Sequence, residues 1–366
     1  MVLARPLISE EGKLLLAEGI PLGKNLIRRL REVGIPFVYV QDDRFPDDSV
    51  RPLISPQHQR SAVATLHVTY AELTARYERD TLTTRLDELA DLVRDLLRDI
   101  LSQPDAVVHL LDLRGISSYE PQHALQVMVL SLLTGRRLGL EETDLYTLGL
   151  AAFLHDLGKV ALPQAILDKP GPLSAPEWVS MRRHPVFSAE VLDDHEGLWS
   201  RAAILALHHH ERLDGSGYPD GLSGDALPRE TRILAVADAY DGMTSARPYR
   251  PLPIPPFRAL RILREEERGR VDPLVVEAMA SVVAPYPVGT WLRLSTGQIG
   301  LVTEVKPQTP AKPVITVVRH ARTGPLPVPI RIDLSLAESE AGEIAAVLEE
   351  EPQVVEGEEG IEGIRV

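Results

Sequence analysis

The chain has no cysteine in 366 residues. Disulfides, zinc–thiolate sites, iron–sulfur clusters and cysteine nucleophiles are therefore excluded, and any metal must sit on nitrogen and oxygen ligands. Lysine is scarce: 6 of the 39 basic residues, the other 33 being arginine. The net charge is −14, so a basic footprint for nucleic acid is missing too. No apolar run approaches the roughly 18 residues of a membrane span. The N-terminal run Leu14–Ala17 is short and follows Arg5, Glu10 and Glu11, which suits neither a signal peptide nor a membrane helix. These absences predict a cytoplasmic protein with no membrane and no nucleic-acid partner.

The negative charge is uneven. Residues 337–366 hold ten Glu and one Arg, a net of −9, which leaves −5 for the rest. A small anionic ligand would need local cations, either a metal or arginines.

The length allows two or three domains. The pattern predicts a multidomain chain: a mainly all-α helical domain, preceded by a small α/β module and followed by a small β module. Residues 1–41 read as strand–turn–strand around Glu11-Gly12, a short amphipathic helix in "KNLIRRLREVG", and a strand in "IPFVYV". Residues 42–58 are rich in Pro and Asp and read as a linker. From 59 to 104 the apolar residues Leu82, Leu86, Leu89, Val93, Leu96, Leu97 and Ile100 recur at three and four, a helical segment. Residues 105–284 are helical by period, with a capping box in "SAPE" at 174–177. Alternation around Thr296-Gly297 marks strands over 285–336. The acidic tail 337–366 is expected to begin as a helix and end disordered.

The chemistry lies in the helical block. In order it presents His123, then His155, Asp156 and Lys159 in "HDLGK", His184 in "HP", and His208, His209 and His210 in "HHHERLDGSGYPDG". Asp238 and Asp241 follow in "ILAVADAYDGM". Leu145, Leu148 and Ala152 are at helical spacing and lead to His155, so the His155-Asp156 pair falls at the inner end of a buried helix, with Gly158 closing it. Such groups are costly to bury unless paired or metal-bound. Adjacent helical residues point about 100° apart, so His155-Asp156 and His209-His210 do not easily chelate one ion head-on. Five imidazoles with Asp156 and Asp238 are too many for one ion. They suit two ions about 3.5–4 Å apart that share Asp156, an arrangement that activates a nucleophile and clamps a phosphoryl oxygen. Ligation by nitrogen and oxygen favours Fe, Mn, Co or Ni over Mg. His208 is expected to face outward, and His58, His67, His109, His195 and His320 are read as ordinary. Glu211 fits a carboxylate that orients an imidazole as well as it fits an exposed charge at a helix end.

"HDLGK", "HP", "HHERLDGSGYPDGL" and "RILAVADAYDGMTSARPYR", in that order, resemble the HD-GYP subgroup of the HD phosphohydrolase superfamily. The resemblance covers about residues 105–284. It implies an all-helical domain that hydrolyses cyclic di-GMP to linear pGpG or GMP at a dinuclear metal centre, iron or manganese. Its implied metal ligands are His123, His155, Asp156, His184, His209, His210 and Asp238, with Asp156 bridging and catalytic. Lys159 resembles a phosphate-contacting lysine, Arg247 and Arg250 a phosphate-binding pair, and Tyr218 a residue of the GYP loop near the substrate. Tyr119 stands where some members carry a Glu linked to a third metal, so two ions are expected. The resemblance also leaves open a weakly active receptor that recruits diguanylate cyclases (GGDEF proteins) through the GYP loop, hydrolysis of another cyclic dinucleotide, and a homodimer. Arg319 and Arg322 do not match a PilZ-type receptor signature, so the β segment reads as structural.

Overall fold

The computed structural model of the chain describes residues 2–4, 7–8, 14–32, 38, 40–41, 53–75, 79–103, 105, 107–108, 119–193, 198–245, 253–336, 342–348 and 364–365. At the N-terminus β1 (Val2–Leu3) pairs antiparallel with β4 (Val40–Gln41), and β2 (Leu7–Ile8) with β3 (Leu14–Leu16). Helix α1 (Lys24–Glu32) lies between these strands in the chain.

Helices α2 (Pro56–Ala75) and α3 (Arg79–Leu101) pack on each other. Helix α2 begins inside the stretch read as a linker: Ser55 caps it by accepting from the His58 amide, and Asp99 of α3 takes both the Ser55 amide and the His58 ring. Arg85 of α3 clamps Glu72 of α2 through two bonds of 2.8 and 2.9 Å. The pair belongs to the main helical unit, because Leu66, Leu89, Val93 and Leu96 join the same continuous core as the later helices.

That core centres on α4 (Tyr119–Arg137) and α5 (Glu142–Leu154). Both are buried on nearly every face, which marks helices enclosed by others rather than a surface pair. Glu142 and Asp144 in the first turn of α5 oppose the positive helix end. Gly139, at φ +78°, reverses the chain after α4 where a side chain would be strained. A 3-10 turn (Leu157–Ala161), α6 (Gln164–Leu167), α7 (Ala175–Met181), α8 (His184–Asp193) and α9 (Leu198–Leu207) follow, then α10 (Arg229–Thr244), α11 (Pro256–Glu265) and α12 (Pro273–Ala280). The α7 cap is present, with Glu177 accepting from the Ser174 amide and hydroxyl. Helix α10 packs along α4, and α9 packs on α8 and α5. The ends of α4, α5, α8, α9 and the middle of α10 thereby meet at one place.

The C-terminal strands form an antiparallel sheet in the order β10-β9-β5-β6-β7-β8. They are β5 (Trp291–Leu294), β6 (Gln298–Glu304), β7 (Val314–His320), β8 (Gly324–Asp333), β9 (Ile344–Leu348) and β10 (Ile364–Arg365). Two strands fall within the acidic tail, which corrects the expectation of a helix followed by disorder. The reason is local: "IAAVL" at 344–348 is an uncharged run between Glu clusters, and it covers the free edge of β5 while burying Ala346 and Leu348 beside Ile299. Phe257 of α11 stacks on Tyr286 within the sheet core and joins the sheet to the helical unit. No helix among the described residues is long and apolar enough to cross a membrane.

Candidate metal centre

His155 and Asp156 do not continue α5. They form the turn after Leu154, as His208, His209 and His210 form the turn after α9. His155 keeps helical backbone angles (φ −56°, ψ −33°) and Asp156 departs from them (φ −99°, ψ 4°), and the two side chains meet at 3.3 Å.

Three imidazoles are oriented in the same way. The Nδ1–H of His155 donates to the Ala152 carbonyl at 2.8 Å, that of His184 to Met181 at 2.7 Å, and that of His209 to Ala206 at 2.6 Å. A carbonyl only accepts, so each Nδ1 carries the proton and each Nε2 lone pair is turned to the common centre. His123 uses a carboxylate instead: its Nδ1–H donates to Asp241 at 2.7 Å. Its Nε2 lies 3.2 Å from Asp238 and 3.5 Å from Asp156.

The groups form two clusters that could each hold a cation, His123–His155–Asp156 and His184–His209–His210, with ligand atoms within 4.8 Å of one another. Asp156 stands between them. Its Oδ1 is 3.2 Å from His184 Nε2, and its Oδ2 is 3.3 Å from His155 and 3.5 Å from His123. Asp238, on α10, reaches His123 with one oxygen and His210 with the other, at 3.2 and 3.6 Å. The sequence-derived set His123, His155, Asp156, His184, His209, His210 and Asp238 is thus assembled in one buried centre. Lys159 joins it by donating to Asp156 Oδ2 at 2.6 Å.

The electrostatics suit a cation. Burial pushes the Asp156 carboxyl up, but Lys159, His155 and His123 outweigh it and hold it well below the usual carboxylate range. Asp238 is likewise pushed up by burial and held low chiefly by His123 and His210. Burial and neighbouring imidazoles push His209 well down, and burial drives His210 down to about 3, so both stay neutral and free to ligate. Burial lowers His123, yet Asp156, Asp238 and Asp241 carry it up to about 10. The carboxylates around that ring demand a positive charge, as a proton on the imidazole or as an ion among them. The buried Nε2 of His155 has no hydrogen-bond partner, which also fits a cation. The donor set is entirely nitrogen and oxygen.

The loop 211–224 is pinned to this centre. Glu211 is buried and accepts from the Asp220 and Gly221 amides at 2.7 and 2.9 Å, so it orients the loop rather than an imidazole. His208, expected outside, is buried and pairs with Asp220 at 2.9 Å. A Cβ on Gly217 would lie 2.4 Å from Glu211 Cα, so the close crossing of the loop requires glycine. Tyr218 is thereby laid against His210, with ring centroids 4.8 Å apart, and the Arg182 guanidinium covers its ring at 5.1 Å. Burial, then Asp238 and Asp156, push its phenol up, so it remains a neutral donor.

Gly158 also departs from expectation. It is outside the left-handed region and does not close α5. A Cβ there would lie 2.1 Å from the His184 carbonyl, so this glycine lets the 3-10 turn touch α8. Its amide donates to Ser188 Oγ, which donates in turn to the His155 carbonyl. Asp241 had no role from sequence, although its position three residues after Asp238 puts both on one helix face. Arg247, Arg250 and the Tyr119 side chain lie outside the described residues.

Residues 96–275 match the HD domain family. The chain is 36% identical over 245 residues to the cyclic di-GMP phosphodiesterase PA4108 of Pseudomonas aeruginosa, covering 66% of this chain and 58% of that one. It is 46% identical over 149 residues to the cyclic di-GMP phosphodiesterase response regulator RpfG of Xanthomonas campestris pv. campestris, covering 40% and 39%. A 3'3'-cGAMP-specific phosphodiesterase 3 of Vibrio cholerae is 36% identical over 171 residues, covering 47% and 37%. The chain thus spans less than two thirds of the length of each. With the HD, HP, HHE and GYP motifs drawn into one centre, residues 96–275 are the part of this chain that matches the HD domain family, and the relatives that share it are cyclic-dinucleotide phosphodiesterases.

Proposed function

We propose that the chain is a metal-dependent phosphodiesterase that hydrolyses cyclic di-GMP to linear pGpG, GMP or both. The observation that carries this reading is Asp156, whose two oxygens face two different histidine clusters. That is the donor arrangement for two ions sharing one carboxylate, iron or manganese by ligand type. When bound, such a pair lowers the pKa of water and neutralises charge on phosphoryl oxygens. The protein supplies the rest. His123, His155, His184, His209, His210 and Asp238 complete the ligand set. The Lys159 ammonium contends with any cation for Asp156 Oδ2; released from it, the ammonium is placed to serve a phosphate. Arg247 and Arg250 are assigned to the phosphates by their motif alone, and Tyr218 to the nucleotide by its place against His210. The GYP loop also offers a surface to diguanylate cyclase (GGDEF) partners, and the chain is compatible with a homodimer.

A second reading, hydrolysis of 3'3'-cGAMP, draws on the similarity to the Vibrio cholerae enzyme. Both readings are tested together. Full-length protein purified without oxygen is analysed for metal and incubated separately with cyclic di-GMP and 3'3'-cGAMP, and the products are identified. Linear dinucleotide or GMP from cyclic di-GMP supports the first reading, and turnover of 3'3'-cGAMP alone supports the second. Both nucleotides returned intact by metal-loaded protein would contradict the enzyme and favour the receptor.

A further inference from the structure

Arg182 caps the C-terminal end of α7 with helical backbone angles (φ −63°, ψ −7°), its amide bonded to the Trp178 carbonyl. Its neighbour Met181 supplies the carbonyl that orients His184, so one stretch of backbone fixes both a candidate ligand and Arg182. The Arg182 guanidinium lies over the Tyr218 ring at 5.1 Å, and that ring lies against His210 with centroids 4.8 Å apart. Arg182 is exposed while His184 and His209 are buried, so it stands at the rim of the centre, one ring removed from a candidate ligand. Among the described residues its side chain makes no hydrogen bond and no ion pair. An arginine carries five N–H donors in a planar fork. Laid over an aromatic face, the fork is held by the ring and its edge stays free. Trp178, one turn earlier on the same helix face, is 48% exposed, and α7 has no buried residue. This helix therefore presents a held fork and a flat apolar ring to solvent.

The two groups together suit a purine rather than a phosphate. The phosphate to be cleaved has to reach the buried carboxylate of Asp156, whereas Arg182 touches the centre only through the Tyr218 ring. Guanine offers O6 and N7 as adjacent acceptors that match an arginine fork, and adenine puts an amino donor in the place of O6. Bases also stack on exposed aromatic rings. We propose that Arg182 is a specificity-determining residue that reads guanine, donating to O6 and N7 of a base at the rim while the phosphate occupies the centre. The inference rests on the phosphodiesterase reading and extends it to the base, for which the motifs assign no residue.

The test compares wild type, Arg182→Lys and Arg182→Gln as full chains loaded with manganese. Metal per chain is measured first, then affinity for GMP and for AMP by calorimetry, and kcat/KM for cyclic di-GMP and for cyclic di-AMP. Wild type should prefer the guanine member of each pair. In both variants that preference should shrink by about 10-fold or more, the size of one lost bidentate contact, with metal content unaltered. Lysine keeps the charge but not the fork, so a lost preference in Arg182→Lys separates base reading from charge. A wild type without guanine preference, a preference that survives in Arg182→Gln because both members weaken equally or not at all, or loss of metal in the variants would overturn the role of Arg182 and leave the phosphodiesterase reading standing. Metal-loaded wild type that cleaves neither dinucleotide would overturn the phosphodiesterase reading, and the affinities for GMP and AMP would still decide whether Arg182 reads guanine.

Discussion

His123 and Asp241 are 118 residues apart in the chain and 2.7 Å apart in the fold. Both are buried, one at the start of α4 and the other on α10. Ser245 holds the other carboxylate oxygen of Asp241 at 3.1 Å, so Asp241 is fixed before it fixes His123. Asp241→Asn keeps the shape and removes the charge behind the imidazole. Partners of this kind typically contribute 10–100-fold to metal affinity. Equilibrium dialysis with manganese should show a loss of about that size. Affinity equal to wild type would mean that His123 needs no such support.

Lys159 donates to Asp156 at 2.6 Å but offers no lone pair to a metal while protonated. Lys159→Ala should therefore keep the metal and lose rate, with kcat falling by about 10²-fold or more, as for a lost charge stabiliser. Elemental analysis beside steady-state kinetics separates the roles. An empty site in Lys159→Ala would show that the lysine holds the centre together rather than the substrate.

Gly158 is a packing requirement. Gly158→Ala would force a Cβ to within 2.1 Å of the His184 carbonyl and 2.5 Å of the Ser188 amide. Both are backbone and cannot swing aside. Overpacking of this kind costs about 1–3 kcal/mol. A lowered denaturant midpoint with weakened metal binding is expected, since His184 must move. Wild-type stability and metal binding would refute the contact.

The metal-free protein should lose stability in mild acid. His210 is held down to about 3 and His209 well below its usual value, both chiefly by burial. Unfolded histidine titrates near 6.5. Below that pH the unfolded chain binds more protons at these two sites than the folded chain does, so stability falls as pH drops. His123, raised to about 10, acts oppositely, but it is one group against two and mostly above pH 6.5. The melting temperature of chelator-treated protein should fall from pH 6.5 to pH 5. A flat or rising profile would contradict the neutral imidazoles.

The ligand set and the helical unit were legible because they are written as short local motifs. "HDLGK" and "HHE" put their residues in turns after apolar helices, and burial period shows which end points inward. The support was less legible. Asp241 acts on a histidine far away in sequence, and His208 is covered by a loop that pairs it with Asp220. Gly158 carries no sign of whether it serves a turn or a close contact. The strand at 344–348 was hidden by composition: ten Glu in the tail drew attention from five uncharged residues that only a free sheet edge could use.

The central claim is that Asp156 joins two cation sites. Anomalous diffraction from crystals of the manganese-loaded full chain tests it most directly. The account predicts two peaks per chain, one among His123, His155 and Asp156 and one among His184, His209 and His210, with Asp156 between them. Asp156→Ala should lose both. A single peak, three fully occupied peaks, or two peaks that survive in Asp156→Ala would contradict it.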